Sequence, residues 1–429
     1  MSTEHLSQVL DRLSLNMTGS DCLRFTPHEE ESWLEDKFSQ VPQYLYRVSF
    51  HGKSDGETTK VWAKSKDAKE GNPGRETSIL DGDRAEMADM LYRHLRWKGG
   101  SPSNLLSWTS SLLFALQYVF FRYHKDHVAL EDITIFVIDT TKFPKGAFAR
   151  DMDLISIFGE FSDELRNMES LRTRRANTRA FLCYYNYGEY LSQGALEIEG
   201  KCGSTTGQKI IEKGLFSLRA EFKDSLMPRS KDDLGWANRV LDLRKCYTNE
   251  VGDESREDLE LQVALAFGIG SLFGSDWKPP IAASLLGLRR RSARDVDAIC
   301  KASLKLVAGW DVSYFRSNAD LRALPEVQQF ETIMLALVGP LHIRYMLGEA
   351  TIVYYLPSKK KYTDHRDQDQ ISTASLSLTR ALNHHTALLG NEALSANDTQ
   401  PSRKMIGEYL DAIARTNSAL LTDFPRLEY

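Results

Sequence analysis

The sequence predicts an α+β protein in two parts, a mixed unit of strands and helices over residues 40–202 and a mostly α-helical unit over residues 203–429. Three apolar runs that are typical of buried strands lie in the first part, at 44–50 (YLYRVSF), 133–139 (ITIFVID) and 180–187 (AFLCYYNY). In the second part, apolar residues recur at three- and four-residue spacing, which is typical of helices. Residues 1–39 are predicted to form a separate N-terminal helical segment.

Composition narrows the class of protein. A chain of 429 residues is long enough for two or three domains, and its net charge of −5 argues against wholesale coating of nucleic acid. The five cysteines are scattered and form no CxxC pair, so neither a zinc site nor a disulfide framework is indicated. No secretory signal or bilayer-spanning stretch is recognisable. We therefore expect an intracellular protein, cytoplasmic or nuclear, with no metal and no membrane association.

The strand at 44–50 shows clear alternation. Its larger side chains share one face: Tyr44, Tyr46, Val48 and Phe50. We expect this face to meet the core. The other face carries Leu45, Arg47 and Ser49, so Arg47 is predicted to point toward solvent or a cleft.

The remaining elements follow from composition and periodicity. Residues 51–81 are polar and predict a long surface loop, and residues 140–150 predict a second loop. Helices are predicted at 83–97 and at 161–177, the second within a cluster of arginines between Arg166 and Arg179. A last strand of the first unit is predicted at 195–198. In the second unit, helices are predicted near 207–226, 232–247, 256–273, 292–309, 325–347, 371–388 and 402–420, with a proline-bearing joint at 277–280 and a strand at 352–356.

A hydroxyl-rich stretch organises the first unit. Ser107, Thr109, Ser110 and Ser111 surround Trp108, directly before an apolar helical run that reaches His124. Hydroxyls in this position can cap the helix, and the helix N-terminus can also receive an anion such as a pyrophosphate. Taken alone, the stretch favours an ordinary N-cap.

Three motifs occur in a fixed order within 40–202. An arginine lies mid-strand in Tyr46-Arg47-Val48, hydroxyls close a strand at 107–111, and Glu189 follows an apolar run in YGEYLSQG (187–194). This order resembles the arginine–serine–glutamate class of mono-ADP-ribosyltransferases, and the surroundings of Glu189 are similar to those in its pertussis-toxin-like members. The same stretches resemble an uncharacterised domain family of filamentous fungi.

The resemblance implies a split-sheet ADP-ribosyltransferase-like domain at 40–202 that uses NAD as its substrate. It assigns NAD binding to Arg47, and a planar guanidinium is suited to bidentate contact with phosphate oxygens. It places Ser110 and Tyr187 beside the same ligand. These three residues are the predicted cofactor-binding set.

The resemblance also implies the catalytic set. Glu189 is expected to stabilise the oxocarbenium-like centre that forms when the nicotinamide–ribose bond breaks. Hydroxyls brace the nicotinamide pocket, in one of two registers, 107–109 or 109–111. The first register is favoured because Ala115 then falls suitably within the helix, which makes Ser107 and Thr109 the predicted residues.

One position departs from the family pattern. Members usually carry glutamine or glutamate two residues before the catalytic glutamate, and this chain has Tyr187 there. Arginine is therefore not indicated as the acceptor, which leaves another macromolecule, NAD hydrolysis or NAD binding without turnover. An anionic acceptor, including nucleic acid, fits the arginine cluster.

Two other classes remain open. The first is a non-catalytic interaction protein on a decayed fold, with a protein partner bound by the helical half. In that case Arg47 pairs with a surface carboxylate and Glu189 caps a turn. The second is an RNA-end phosphotransferase, which shares the broader fold but would be expected to carry further His and Arg motifs that the sequence lacks.

Overall fold

The computed structural model describes residues 22–50, 56–72, 76–98, 103–173, 186–227, 236–248, 254–307, 310, 315 and 324–338. Within these ranges, nine strands form one antiparallel sheet with the order β3-β4-β8-β5-β2-β6-β9, and β1 and β7 also pair with β8. The strands are β1 Cys22–Leu23, β2 Tyr44–Phe50, β3 Gly56–Thr58, β4 Trp62–Ser65, β5 Leu105–Thr109, β6 Ile133–Asp139, β7 Ala149–Arg150, β8 Glu189–Glu197 and β9 Cys202–Thr206.

Helices accompany the sheet and dominate the described chain after β9, so the protein has a mixed α/β fold. The first six are α1 Leu34–Phe38, α2 Lys66–Glu70, α3 Arg84–Leu95, α4 Leu112–Lys125, α5 Asp151–Phe158 and α6 Asp163–Thr173. Those after the sheet are α7 Gly207–Glu212, α8 Leu215–Leu218, α9 Phe222–Leu226, α10 Trp236–Arg244, α11 Arg256–Gly270, α12 Lys278–Leu286, α13 Ala293–Ser303 and α14 at 325–338. None of the helices within the described ranges is long and apolar enough to cross a membrane.

The predicted strands at 44–50 and 133–139 and the predicted helix at 83–97 are confirmed as β2, β6 and α3. The predicted loop at 51–81 is wrong for its described part, which contains β3, β4 and α2. Both strands are short, and their buried positions combine Gly56, Thr58 and Ser65 with Trp62 and Ala63. Such short runs with mixed buried residues show no clear alternation, so the hydrophobicity pattern does not reveal them.

The strand that leads to Glu189 begins later than predicted. Residues 180–185 of the predicted strand lie outside the described residues. Residues 186–188 do not belong to a strand, and β8 starts at Glu189 itself. Gly188 adopts φ +62°, which interrupts the strand conformation. Glu189 is thus the first residue of a central strand and does not follow one.

Two helices were missed because local signals were ambiguous. The proline-bearing joint at 277–280 is the start of α12, where proline is tolerated because the first turn leaves its N–H groups unpaired. Helix α5 begins at Asp151, directly after a predicted loop. Residues 1–21 of the predicted N-terminal helical segment lie outside the described residues, as do the predicted strand at 352–356 and the predicted helices at 371–388 and 402–420.

Apolar side chains cover the sheet on both faces. Tyr46 and Ile135 share one core cluster with Phe267 and Leu286 of the later helices, and the Tyr46 hydroxyl lies 2.7 Å from Ser284 Oγ. Leu45 lies on the same face of β2 as Arg47, belongs to a second cluster and is completely buried. A second apolar layer therefore packs against this face at Leu45.

Candidate functional site

The sheet contains a cleft between β2 and β5. Among the described residues, these strands are paired at one position only, Tyr46 with Thr109. Residues 46–48 and 50 of β2 and residues 105–109 of β5 line the cleft, which has a volume of about 350 Å³. Residues of α3, α4 and α6, together with Tyr187 and Glu189, complete its wall.

Arg47 connects the two strands where their pairing stops. Its Nε donates to Thr58 Oγ1 and its Nη1 to the Ser107 carbonyl, both at 2.8 Å. The guanidinium also lies 5.9 Å from the centre of the Trp108 ring. Arg47 is half-buried at the cleft, and β3 and β5 both hold its guanidinium in place.

His94 fixes the Ser107 hydroxyl. Its Nε2 lies 2.9 Å from Ser107 Oγ and its Nδ1 lies 2.9 Å from Ser103 Oγ. Burial, with a further contribution from the positive charge of Arg47, lowers the His94 pKa to about 3. The imidazole is therefore neutral near pH 7, with one nitrogen that donates and one that accepts. Sequence reasoning missed His94. The available signal was its position three residues after the buried Leu91, on the inward side of α3.

The other hydroxyls of this stretch have distinct partners. Thr109 Oγ1 lines the cleft and donates to the Tyr187 carbonyl at 2.5 Å. Ser110 is buried beside the Gly188 carbonyl and is not among the lining residues, although it was predicted to contact NAD. Ser111 Oγ accepts from Phe114 N at 3.1 Å, so this hydroxyl caps α4.

Glu189 takes part in a buried charge cluster. Its Oε2 lies 2.6 Å from Arg172 Nη2, and the Nε of the same arginine lies 3.2 Å from Asp151 Oδ2. Glu189 is only 9% exposed. Burial alone would lower the Arg172 pKa, but Asp151 and Glu189 raise it above its ordinary value. Burial raises the Asp151 pKa to about 6. The positive charge of Arg172 opposes this increase, and the negative charge of Glu189 adds to it.

Arg172 and Asp151 were not predicted at the site. The arginine cluster between Arg166 and Arg179 was interpreted as a region suited to an anionic acceptor, and this is wrong for Arg172, which is buried. Arg166 is exposed beside Asp163, whereas Arg174, Arg175 and Arg179 lie outside the described residues.

Tyr187 packs between the two ends of the cleft. Its ring stacks on Phe114, with centroids 4.7 Å apart and planes inclined by 22°, and Arg172 Cζ lies 5.5 Å from its centroid. It occupies the position where the resemblance led us to expect an acidic or amide residue. The second carboxylate near Glu189 comes instead from Asp151, on α5.

A further arginine, Arg122 of α4, also lines the cleft. Arg122 contacts the Tyr118 hydroxyl and lies 2.7 Å from Asp126 Oδ2. Its guanidinium carbon is 4.6 Å from the Tyr118 ring centre and 5.6 Å from that of Trp97. The lining residues include Arg47, Arg96, Arg122 and Arg172 and one carboxylate, Glu189. Asp126 pairs with Arg122, and Asp151 and Glu189 pair with Arg172, so carboxylates offset the charges of these two arginines. Arg47 and Arg96 add positive charge to the cleft wall, which favours an anionic ligand.

The fold and the cleft together define a mixed α/β protein in which polar side chains from separate strands and helices surround a basic opening in an antiparallel sheet. Residues 40–198 match the model of a family described as a domain of unknown function, DUF7587. This range lies within the unit that the sequence predicts at 40–202. Comparison of the chain with curated proteins gave no match, and neither did comparison with solved structures.

Proposed function

We propose that the protein binds NAD in this cleft and transfers ADP-ribose to an unidentified acceptor macromolecule or to water, on a split-sheet ADP-ribosyltransferase-like fold. One observation carries the proposal. Arg47, Ser107, Thr109 and Glu189, which the sequence resemblance selects, line a single cleft although they come from three strands. The short pairing between β2 and β5 supports a divided sheet.

In this proposal, Arg47 binds the pyrophosphate of NAD. Thr58 and the Ser107 carbonyl already orient the guanidinium, so little side-chain freedom remains to be lost on binding. Arg47 and Arg96 place positive charge in the cleft wall, which favours a ligand that carries phosphate charges. Tyr187 and Phe114 offer stacked aromatic surface for a flat ring such as nicotinamide.

The carboxylate of Glu189 stabilises positive charge at the ribose as nicotinamide leaves. Thr109 supports it indirectly, because the hydrogen bond to the Tyr187 carbonyl holds the chain just before β8. His94 holds the Ser107 hydroxyl in one orientation as a neutral group. Water is the acceptor for NAD hydrolysis, and a macromolecule is the acceptor for transfer.

A second function is favoured by a different observation. Glu189 is ion-paired with Arg172, and Arg47 is hydrogen-bonded to Thr58 and Ser107, so these groups already have partners inside the protein. Such contacts suit a non-catalytic interaction protein in which the helical half binds a partner. In that case NAD neither binds nor reacts.

Calorimetric titration with NAD, together with a nicotinamide-release assay, separates the two functions. For Glu189→Gln we expect turnover to fall by about 10²–10³ while NAD affinity hardly changes, because the lost charge acts chiefly in the transition state. Glu197→Gln is the matched control, since it lies on the same strand and does not line the cleft. It should leave both values unchanged.

Absence of NAD binding to the folded wild type would exclude the transferase and favour the interaction protein. Equal turnover by wild type and Glu189→Gln, both folded in thermal melts, would remove Glu189 from the reaction. Incubation of the protein with labelled NAD and a cell lysate then identifies the acceptor or shows that only hydrolysis occurs.

A further inference from the structure

A buried ion pair in the helical half lies directly behind the start of β8. Arg244, at the end of α10, is completely buried, and Glu326, in α14, is 3% exposed. Arg244 Nη2 lies 2.6 Å from Glu326 Oε1 and Arg244 Nε lies 3.1 Å from Glu326 Oε2. Two parallel contacts of this kind fix both the distance and the orientation of the groups.

Two hydrogen bonds extend from this pair to the cleft. Arg244 Nη1 donates to the Asn186 carbonyl at 2.8 Å, and Glu326 Oε1 accepts from Ser111 Oγ at 2.6 Å. Asn186 lies three residues before Glu189, and Ser111 lies two residues after Thr109. The ion pair therefore contacts both the chain segment before Glu189 and the chain segment after Thr109.

The segment between Asn186 and Glu189 has little freedom to adopt another path. Gly188 has φ +62°, and a Cβ added there would lie 2.2 Å from Ser110 Oγ and 2.6 Å from Leu324 Cδ1. The Gly188 carbonyl accepts from Ser110 N at 2.9 Å. Ser110 and Leu324 thus enclose this segment, and Arg244 holds the carbonyl at its beginning.

We infer that Arg244 and Glu326 are positioning residues for Glu189, so that the helical half determines where the carboxylate at the cleft lies. Neither residue lines the cleft, and both act through Asn186 and Ser111. The kinetic part of this inference rests on the proposed function. The structural part, which concerns the placement of residues 186–189, does not.

The buried Arg291, which pairs with the partly exposed Glu254, provides a control in the helical half. Arg291 Nη1 lies 3.0 Å from Glu254 Oε2, and Arg291 Nε donates to the Leu286 carbonyl at 3.0 Å. Its side chain is 2% exposed. The two arginines share burial, a carboxylate partner and a carbonyl partner. They differ in where the carbonyl lies, three residues before Glu189 for Arg244 and at the end of α12 for Arg291. Their carboxylate partners also differ in exposure, 3% for Glu326 and 21% for Glu254.

The experiment compares Arg244→Lys with Arg291→Lys in the full-length protein. A lysine ammonium can pair with Glu326, but it does not provide the fork of donors that also reaches Asn186. We expect Arg244→Lys to lower the kcat of nicotinamide release by about 10–100-fold, since small misplacements of a reacting group have effects of this size. NAD affinity should change little. Arg291→Lys should retain the wild-type kcat, whatever its effect on the melting temperature.

Amide hydrogen exchange gives a readout that does not depend on NAD. We expect peptides that contain residues 186–191 to exchange faster in Arg244→Lys than in Arg291→Lys. If wild type neither binds NAD nor releases nicotinamide, the proposed function fails and this exchange comparison alone decides the positioning role. Equal exchange in the two variants, or an equal loss of kcat in both, would overturn the inference.

If Arg244→Lys does not fold, Ser111→Gly replaces it. Glycine is tolerated at a helix N-cap, so this change chiefly removes the hydroxyl that donates a hydrogen bond to Glu326. A decrease in kcat and faster exchange at 186–191 would support the inference. Unchanged kcat and exchange in a folded Ser111→Gly would contradict it.

Discussion

The two ends of the cleft handle buried charge in opposite ways. At the Arg47 end, neutral groups hold the cation, and the buried imidazole of His94 beside it is uncharged near pH 7. At the Glu189 end, one arginine is shared between two carboxylates. The first end therefore places a cation beside a neutral imidazole. The second end places one arginine between two carboxylates, so both carboxylates depend on the presence of that arginine.

The largest expected effect concerns His94, at the Arg47 end. Its pKa of about 3 in the folded protein lies below the ordinary 6.5, so the unfolded chain binds a proton that the folded protein excludes. The free energy of unfolding should fall as pH decreases from about 6.5 toward 3, by roughly 4–5 kcal/mol in total. His94→Gln should remove this part of the acid sensitivity in urea denaturation measured across that range. An equally steep loss in the variant would mean that other groups cause it.

Removal of Arg172 should be nearly as severe at the other end. Arg172→Met leaves Asp151 and Glu189 buried without their shared cation, which we expect to cost about 3–5 kcal/mol at pH 7. Urea denaturation measures this loss. Arg166→Met is the control on the same helix, because Arg166 is exposed and its contacts within the described residues are with the exposed Asp163 and the Gly159 carbonyl. It should stay within about 0.5 kcal/mol of wild type.

Asp151 should give the opposite pH dependence to His94. Its folded-state pKa of about 6 lies above the ordinary 3.8, so the folded protein binds the proton more tightly than the unfolded chain. This contribution to stability is present below about pH 4 and is lost as pH rises through about 6. We compare both variants with wild type. In Asp151→Asn the free energy of unfolding should fall more steeply as pH decreases, whereas in His94→Gln it should fall less steeply. Changes of the same sign in both variants would contradict the contrast between the two ends.

The smallest effect is expected for NAD binding at the Arg47 end. Arg47→Lys keeps the charge but loses the planar fork of donors, so NAD affinity should weaken by about 1–3 kcal/mol in calorimetry. Arg96→Lys is a suitable control, because Arg96 also lines the cleft but is not part of the predicted motif. Unchanged affinity in Arg47→Lys would remove Arg47 from the proposed NAD site.

The sequence was informative where local patterns determine structure. The alternation in β2 and the apolar run of β6 were sufficient to place both strands, and the motif order selected four residues that line one cleft. His94, Asp151 and Arg172 were missed because their roles come from contacts between α3, α5, α6 and the sheet. Helical periodicity alone does not contain such contacts. The start of β8 was missed for a related reason, since the close approach of Ser110 and Leu324 accompanies the turn at Gly188.

Strands β2 and β5 share a single paired position, which makes theirs the weakest pairing between neighbouring strands of the sheet. Separation of β2 from β6 would disrupt seven paired positions, and separation of β5 from β8 would disrupt five. Between β2 and β5 the same movement disrupts one pair, together with the hydrogen bond from Arg47 to the Ser107 carbonyl. Arg47, which is proposed to bind phosphate, is therefore also the side chain that links β2 to β5. A ligand that draws the Arg47 guanidinium away from Ser107 removes one of the few contacts that hold these two strands together.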